Sequence, residues 1–337
     1  MRIVVTGASG NVGTALLRAL RADSAGPHEI VGICRRTPPA VPPYAEVQWV
    51  CTDLAQSASA PVLDATFAGA DAVIHLAWQI QPSYDRGQLL RTNQGGSRRV
   101  MDAVVAQHVP HLVHMSSVGT YAPAPDGAAV DESWSHAGVP TSSYSVDKAA
   151  AETMLDELKA PGLTVTRVRP GLILQPDAAS EIARYFLGPL VPARLLRPGL
   201  LRVVPLPTRI RLQFVHAGDV ATALVAMLHQ RPGGAFNLAA EPVLDRAGWR
   251  AAFGGVGPPL PLPMTRAGAN ASWRAHLQPT DPGWVDLAAS MPLLKTDRAR
   301  TELEWEPTSR ADALLTTFVD ALSRGRGTPS PALQPRG

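Results

Sequence analysis

Cysteine is nearly missing from this chain: 337 residues contain only Cys34 and Cys51. Two thiols in so long a chain exclude a disulfide-stapled scaffold and read as reduced core residues. Long hydrophobic runs are missing as well. No stretch reaches the 18 or more apolar residues of a membrane-spanning helix, so no integral membrane segment is expected. The opening MRIVVTGASG carries one early basic residue but no small-residue cleavage site, and it runs straight into a glycine loop. It is therefore not read as a signal peptide, and the expected compartment is the cytoplasm. No charge of one sign dominates, because the formal net charge is +3. The basic residues are scattered apart from short groups such as Arg35-Arg36 and Arg98-Arg99, whereas nucleic-acid binding needs a concentrated basic face. Metal motifs are absent: there is no Cys-x-x-Cys and no His-Glu-x-x-His. His111 and His114 lie three apart on a strand, face opposite sides and cannot converge on an ion. No nucleic-acid partner and no metal are expected.

What the chain does have is an apolar fraction of 45%, ample for a buried core. The first half alternates strand-like and helix-like segments. Arg2–Thr6, Glu29–Cys34, Val47–Cys51, Ala72–His75, His111–Ser116 and Thr164–Arg169 read as strands. Asn11–Ala22, Gln88–Gln107 and Ser143–Leu158 read as helices; in the first, Val12, Ala15, Leu16, Ala19 and Leu20 share one side. Near-continuous apolar strands alternating with helices predict an α/β, Rossmann-type doubly wound parallel sheet. The second half is less regular. Ala178–Leu187, Gly218–Leu228 and Thr308–Leu322 are predicted helices, Leu212–Val215 and Ala235–Leu238 predicted strands, and Gly254–Pro263 a loop. The expected organisation is a dinucleotide-binding domain over residues 1–172, to which 203–240 returns, and a smaller substrate-binding subdomain over 173–330. Composition predicts a disordered tail over 325–337.

Gly7, Gly10 and Gly13 punctuate Thr6-Gly7-Ala8-Ser9-Gly10-Asn11-Val12-Gly13, between the first strand and the first helix. Such a turn lets backbone approach a pyrophosphate, while the helix N-terminus supplies amide N–H groups and positive dipole. A glycine-rich turn without a ligand is the alternative, and the strand–helix context favours the dinucleotide loop. About 20 residues on, an acidic residue would bind the ribose of NAD. The second strand instead ends at Arg35-Arg36, and guanidinium suits a 2′-phosphate. NADP(H) is therefore the favoured cofactor, with NAD(H) left open and two surface arginines as the alternative. Asp53, after the third strand, either accepts from the adenine amino group or caps a helix.

Tyr144 and Lys148 stand at i and i+4 in Tyr-Ser-Val-Asp-Lys, on one face of a helix. A lysine beside a tyrosine favours the phenolate, whose pKa is ordinarily about 10. A phenol so tuned can exchange a proton with a substrate hydroxyl near neutral pH. Ser116 and Ser117 end the fifth strand, where open α/β sheets bind ligands. The amide of Asn93 is expected to hold backbone or a water near the lysine, with an exposed polar residue as the alternative.

In order along the chain stand Thr6–Gly13, Asp53-Leu54, His75-Leu76-Ala77, Asn93, Ser116–Tyr121, Tyr144–Lys148, Arg169-Pro170-Gly171, Val215–Ala221 and Phe236-Asn237-Leu238. In this series the sequence resembles the extended short-chain dehydrogenase/reductase family, also called the NAD-dependent epimerase/dehydratase family, over roughly residues 1–325. The resemblance implies Tyr144 as acid/base, Lys148 as ribose ligand and pKa-lowering partner, and a hydroxyl four residues before an aromatic, which is Ser117, as the substrate-orienting group. Asn93 joins them in the catalytic set. The resemblance places Gly7, Ser9, Gly10, Asn11, Val12, Gly13, Arg35, Arg36, Asp53, Leu54, Leu76, Ala77, Tyr144, Lys148 and Pro170 around the dinucleotide, and Trp78, Ser117 and Tyr144 around a small-molecule substrate. It also implies a homodimer through a four-helix bundle of Gln88–Gln107 and Ser143–Leu158.

Relatives that dehydrate or decarboxylate nucleotide sugars carry acidic residues just after the catalytic hydroxyl; here Val118-Gly119 occupy those places. Nucleotide-sugar epimerases place an arginine where this chain has Leu212, although Arg209 and Arg211 are close. The apolar segment Tyr185–Pro192, with Leu195, Leu196, Leu200 and Leu201, reads either as the lining of an apolar substrate pocket, as ordinary packing of a small lid, or as a peripheral membrane contact. The expected activity is hydride transfer between nicotinamide and a carbinol or carbonyl carbon of a small apolar compound. A retained-NAD nucleotide-sugar epimerase and a non-catalytic dinucleotide sensor are the alternatives.

Overall fold

Runs rich in valine and isoleucine extend because β-branched side chains pack well on a pleated surface. In the computed structural model, which describes residues 1–125, 128–186, 206–207, 210–253 and 259–335, these runs become β1 (Arg2–Thr6), β2 (Glu29–Cys34), β3 (Gln48–Cys51), β4 (Ala72–His75), β5 (His111–Met115) and β6 (Thr164–Pro170). Four more strands follow: β7 (Leu172–Leu174), β8 (Leu212–His216), β9 (Gly234–Leu238) and β10 (Ala240–Leu244). One seven-stranded sheet runs in the order β3-β2-β1-β4-β5-β6-β9. Every neighbouring pair in it is parallel. The order reverses beside β1, so the carboxyl ends of β1 and β4 open a crevice, as the doubly wound fold requires.

Helices cover both faces. On one, α1 (Asn11–Arg21) and α7 (Ala217–Gln230) share a core with β1 and β9, built from Leu16, Leu17, Leu20, Leu224, Met227 and Phe236. On the other, α2 (Ser59–Phe67), α4 (Ser97–Ala106) and α5 (Ser143–Asp156) bury Leu63, Phe67, Val100, Met101 and Leu155. Each such large side chain is worth about 1.5–3 kcal/mol when fully buried. The segment expected as one helix over Gln88–Gln107 has a break in it. It begins earlier, as α3 (Arg86–Leu90), widens into a π-helical turn over Arg91–Gly96, and continues as α4.

A second unit gathers around a three-stranded sheet, β10-β8-β7. Strand β8 therefore pairs with β7 and β10, while β9 alone of this stretch joins the large sheet. α6 (Ala179–Phe186), α8 (Arg246–Phe253) and, near the end of the chain, Ala311–Ser323 pack here around Phe214, Leu315 and Phe318. Like α8, the three helices that follow it, α9 (Leu262–Arg274), α10 (Pro282–Ser290) and α11 (Asp297–Glu302), are absent from the sequence expectation. The predicted loop Gly254–Pro263 thus gives way to helix at Leu262, and its residues 254–258 lie outside the described residues. So do residues 187–205, and with them the apolar segment Tyr185–Pro192 beyond Phe186 and Leu195, Leu196, Leu200 and Leu201. The tail differs from its expectation. Through residue 335 it is folded against the body, with Ser330 and Leu333 wholly buried. Composition argued for disorder, but specific side-chain and backbone contacts override it. Among the described residues, no helix is long and apolar enough to cross a membrane.

Candidate active site

The glycine loop is shaped by backbone proximity. Gly7 has φ +70°, and a Cβ there would lie 2.8 Å from the Ala77 amide nitrogen. A Cβ on Gly13 would lie 2.5 Å from the carbonyl oxygens of Gly7 and Ala8. Only glycine lets the loop, the start of α1 and the end of β4 meet so closely. Gly10 is the N-cap of α1, and no side chain caps that terminus. Its first-turn amides therefore point their dipole into the crevice, a donor set that fits a pyrophosphate. Thr6 Oγ1 accepts from Ala77 N at 3.2 Å and pairs with His75 Nδ1 at 2.7 Å, which fixes the β4 end, including Leu76, against the loop.

The other cofactor candidates have definite places. Asn11 Oδ1 accepts from Gln175 Nε2 at 2.7 Å, and its amide donates to Ile173 O, so its side chain ties α1 to the segment after β7. Val12 packs against the core. Arg35 and Arg36 are exposed just beyond β2, with Arg36 donating to Pro331 O at 3.3 Å. Asp53 Oδ1 accepts from Ala55 N at 3.0 Å, a local turn bond. Leu54 is buried, and its carbonyl accepts from Arg99 at 2.8 Å. Pro170 is buried at the end of β6.

Three chain segments bring the reacting groups together. Ser117 follows β5, and its Oγ accepts from Gly119 N at 3.0 Å. Tyr144 lies in the first turn of α5, capped by Ser142, and Ser117 stands beside its hydroxyl. Burial pushes this phenol up to about 12, and the neighbouring Ser117 hydroxyl offsets only part of the shift. Lys148, one turn on, is buried; its ammonium donates to Met115 O at 2.8 Å and stands 3.6 Å above the centre of the Trp78 ring. Desolvation draws that lysine down to about 7, against the opposing pull of Glu152 and Asp147. The i, i+4 spacing predicted a lysine that lowers the tyrosine. In the structure the two share a helix face, but the ammonium is engaged by a carbonyl and an indole, and the tyrosine answers to burial and Ser117. Asn93 works on backbone: Oδ1 accepts from Gln79 N at 2.8 Å and Nδ2 donates to Gln79 O at 3.0 Å. The π-helical turn carries it, and Gly96 lets that turn pass Leu54, whose carbonyl oxygen would be 3.2 Å from a Cβ.

Trp78 was expected beside the substrate, whereas Trp284, Gln79, Asp147 and Asp281 had no signal in the sequence. Trp284, from α10, lies 5.1 Å from the Tyr144 ring and 5.1 Å from the Phe186 ring, and Trp78 meets Tyr144 edge-on at 6.4 Å. The tyrosine thus faces an aromatic wall drawn from three distant segments. Gln79, Ser143, Tyr144, Asp147, Asp281 and Trp284 line a common hollow. The Gln79 side-chain oxygen is buried there without a protein partner, as is Trp78 Nε1. Asp147 is clamped by Arg86 and accepts from Gln94 at 2.7 Å, locking α5 to the α3 segment. A Cβ on Gly119 would stand 2.9 Å from the Tyr144 ring, so a side chain at that position would displace the phenol.

A parallel sheet in this order, with a glycine loop at β1 and a Ser-Tyr-Lys cluster at the ends of β5 and α5, defines the extended short-chain dehydrogenase/reductase class. Residues 3–239 match the NAD-dependent epimerase/dehydratase family, and the chain belongs to it. An uncharacterized protein of Mycobacterium tuberculosis is 28% identical over 328 residues, 97% of this chain, which spans only 30% of that protein's length. A 4-hydroxy-2-methyl-3-oxo-4-farnesyl-3,4-dihydroquinoline-1-oxide ketoreductase of Stigmatella aurantiaca is 27% identical over 323 residues, covering 90% of this chain and 91% of its own. Among solved structures, UDP-glucose 4-epimerase of Thermotoga maritima superposes with a TM-score of 0.70 at 17% identity, over 96% of this chain and 99% of that one. At that identity the match shows the shared fold. The family is one of enzymes: its members include dehydrogenases, reductases, epimerases and dehydratases.

Proposed function

We propose that this protein is an NADP(H)-using ketoreductase or carbinol dehydrogenase acting on an apolar, ring-bearing small molecule. The observation that carries the reading is the Ser117–Tyr144 hydroxyl pair set into the aromatic wall of Trp78, Trp284 and Phe186. When bound, the nicotinamide supplies or accepts hydride at the reacting carbon. The chain's own residues handle the oxygen. Tyr144, whose proton is held up to about 12, enters as the acid in the reductive direction and gives that proton to the developing alkoxide. Ser117 donates to the same oxygen and fixes its distance from the tyrosine. Lys148 supplies positive charge beneath the site, held in place by Met115 O and Trp78. Asn93 holds the Gln79 backbone, and with it the wall of the hollow.

The glycine loop's uncapped amides suit the pyrophosphate, and Arg35 with Arg36 suit a 2′-phosphate. The ketoreductase of Stigmatella aurantiaca, whose named substrate carries a farnesyl chain, supports an apolar substrate for this chain. The crowding of Gly119 against Tyr144 supports a site without an acid at that place, and so redox chemistry over elimination. A homodimer through the α3–α4 segment and α5 belongs to the same reading; Leu90 of α3 and Val146 of α5 are exposed large apolar side chains.

The test is direct. Purified protein is denatured and any released cofactor identified, and NADPH and NADH are then titrated separately. Tighter binding of NADPH, lost in the Arg35→Ala/Arg36→Ala double variant while NADH binding persists, is the expected result. Stoichiometric retained NAD would overturn the reading in favour of an epimerase.

A further inference from the structure

The C-terminal segment touches both halves of the site. Its turn is closed on itself: Thr328 N donates to Leu333 O at 2.9 Å, and Leu333 N to Ser330 O at 3.0 Å. Gly327 allows that closure, since a Cβ there would stand 2.3 Å from Leu333 O. At one end the turn grips the dinucleotide side. The wholly buried Ser330 donates from Oγ to Ser9 O, inside the glycine loop, at 2.6 Å. Arg36 donates to Pro331 O at 3.3 Å. At the other end it grips α6, whose Phe186 belongs to the aromatic wall. Arg184 donates to Ala332 O at 2.5 Å and to Gln334 O at 2.6 Å. Ser180 N donates to Arg326 O at 3.0 Å and Ser180 Oγ to Gly325 O at 2.8 Å. Leu333 is wholly buried between these contacts.

We propose that residues 325–335 are a latch joining the dinucleotide loop to the substrate-side helix α6, so that dinucleotide binding and the seating of the aromatic wall are coupled. The proposal rests on the reading of the glycine loop as a dinucleotide site. A short turn closed by its own backbone bonds is stiff. Ordering the loop at Ser9 therefore favours one position of Ser330 and Leu333, and through Arg184 one position of α6. By linkage, loosening the α6 end must weaken binding at the loop end.

Arg184 makes the discriminating variant, because it belongs to α6 and, among the described residues, hydrogen-bonds the tail carbonyls and not the glycine loop. Hydrogen exchange of the full chain is followed with and without NADPH, and NADPH and NADH affinities are measured by titration. In the wild type, dinucleotide slows exchange at residues 7–13 and also at 179–186 and 328–334. In Arg184→Ala it slows exchange at 7–13 alone, and the Kd for both dinucleotides rises about three- to tenfold, the scale of one or two lost hydrogen bonds. Ser330→Ala, cut at the opposite end, gives the same two losses. Slowing confined to 7–13 in the wild type overturns the latch, and so does an Arg184→Ala protein that keeps wild-type affinity and wild-type slowing at 179–186. Wild-type protein that binds neither dinucleotide overturns the cofactor reading itself, a result distinct from both.

Discussion

Helix α5 carries two polar clusters one turn apart, and they are built to opposite ends. Around Glu152 the charged groups are paired. Arg169 donates to both Glu152 oxygens at 2.8 Å, to the Tyr121 hydroxyl at 3.0 Å and to Glu132 O at 3.0 Å. Tyr121 in turn donates to Asn237 Oδ1 at 2.7 Å, and the Asn237 amide donates to Lys295 O at 3.1 Å. Burial alone would raise the Glu152 carboxyl, but the Arg169 guanidinium overrides it and holds the group down at about 2. Around Tyr144 and Lys148, by contrast, capacity is left over. The tyrosine is pushed up, the lysine is drawn down, and the Gln79 oxygen beside them has no protein partner. A satisfied buried network specifies the fold; a buried cluster left with unspent hydrogen-bonding capacity is where a ligand can act. Both clusters fall within motifs of the same family, so the motifs do not by themselves separate structure from chemistry.

The sharpest way to break that contrast is Tyr144→Phe. It removes one hydroxyl and leaves the packing against Trp284 and Trp78 in place. Turnover of a ketone substrate falls about 10²–10⁴-fold, the usual scale for a lost general acid, while the thermal midpoint stays near that of the wild type. Steady-state rates and a melting curve check both halves. Retained turnover would move the chemistry elsewhere.

Arg169→Ala attacks the closed cluster and has the opposite signature. It removes both main bonds to the buried Glu152 carboxylate, leaving it only Arg167 as an ion-pair partner at 3.1 Å, and costs about 3 kcal/mol of stability, the low end for a broken buried pair. Activity per folded molecule changes far less than in Tyr144→Phe. The pair also gives a pH signature. The Glu152 carboxyl is lower in the folded chain than its ordinary value, so its contribution is present in full above about 4.5 and is lost as pH falls towards about 2. Denaturant unfolding of the wild type therefore shows a drop in stability over that acid range. In the variant this share of the drop shrinks, because Arg169, the main cause of the lowering, is gone while Arg167 remains.

Gly7→Ala probes a site defined by backbone and not by side chains. The new Cβ meets Ala77 N at 2.8 Å with φ at +70°, so either the loop or the β4 end must shift. Strain of about 1–3 kcal/mol would be relieved by opening the loop, and NADPH affinity drops about tenfold or more with little change in the core. A titration of NADPH into folded variant protein reads it.

The same division explains what the sequence discloses. The large sheet was legible nearly strand by strand, since Ile3, Val4, Val5, Val73 and Ile74 mark buried strands by local composition alone. The strand–glycine turn–helix unit and the helix that sets Tyr144 and Lys148 on one face were legible because each shows in a short local spacing. Helix α9 was not: it buries none of its residues, so it has no core-facing stripe to announce it. The tail was misjudged because two side chains, Ser330 and Leu333, order a segment whose composition otherwise resembles a linker. Trp284 reaches Tyr144 from 140 positions along the chain, and no periodicity reports such a contact.

Trp284 also supplies the mildest test of the open cluster. Its ring is tilted 33° to that of Tyr144 and stands edge-on to Phe186 at 89°, so it joins the phenol to α6 without a hydrogen bond to either. Such ring pairs are worth about 0.5–1.5 kcal/mol each, which corresponds to about a two- to twelvefold change in binding. Trp284→Ala should therefore raise KM for an aryl ketone by about that factor and leave kcat within about threefold, because Ser117 and Tyr144 keep their places on β5 and α5. A small aliphatic ketone, too short to reach the indole, should show almost no change in KM. The difference between the two substrates is the informative quantity. If both lose kcat instead, Trp284 is holding Tyr144 in place, and the aromatic wall serves the acid and not the substrate.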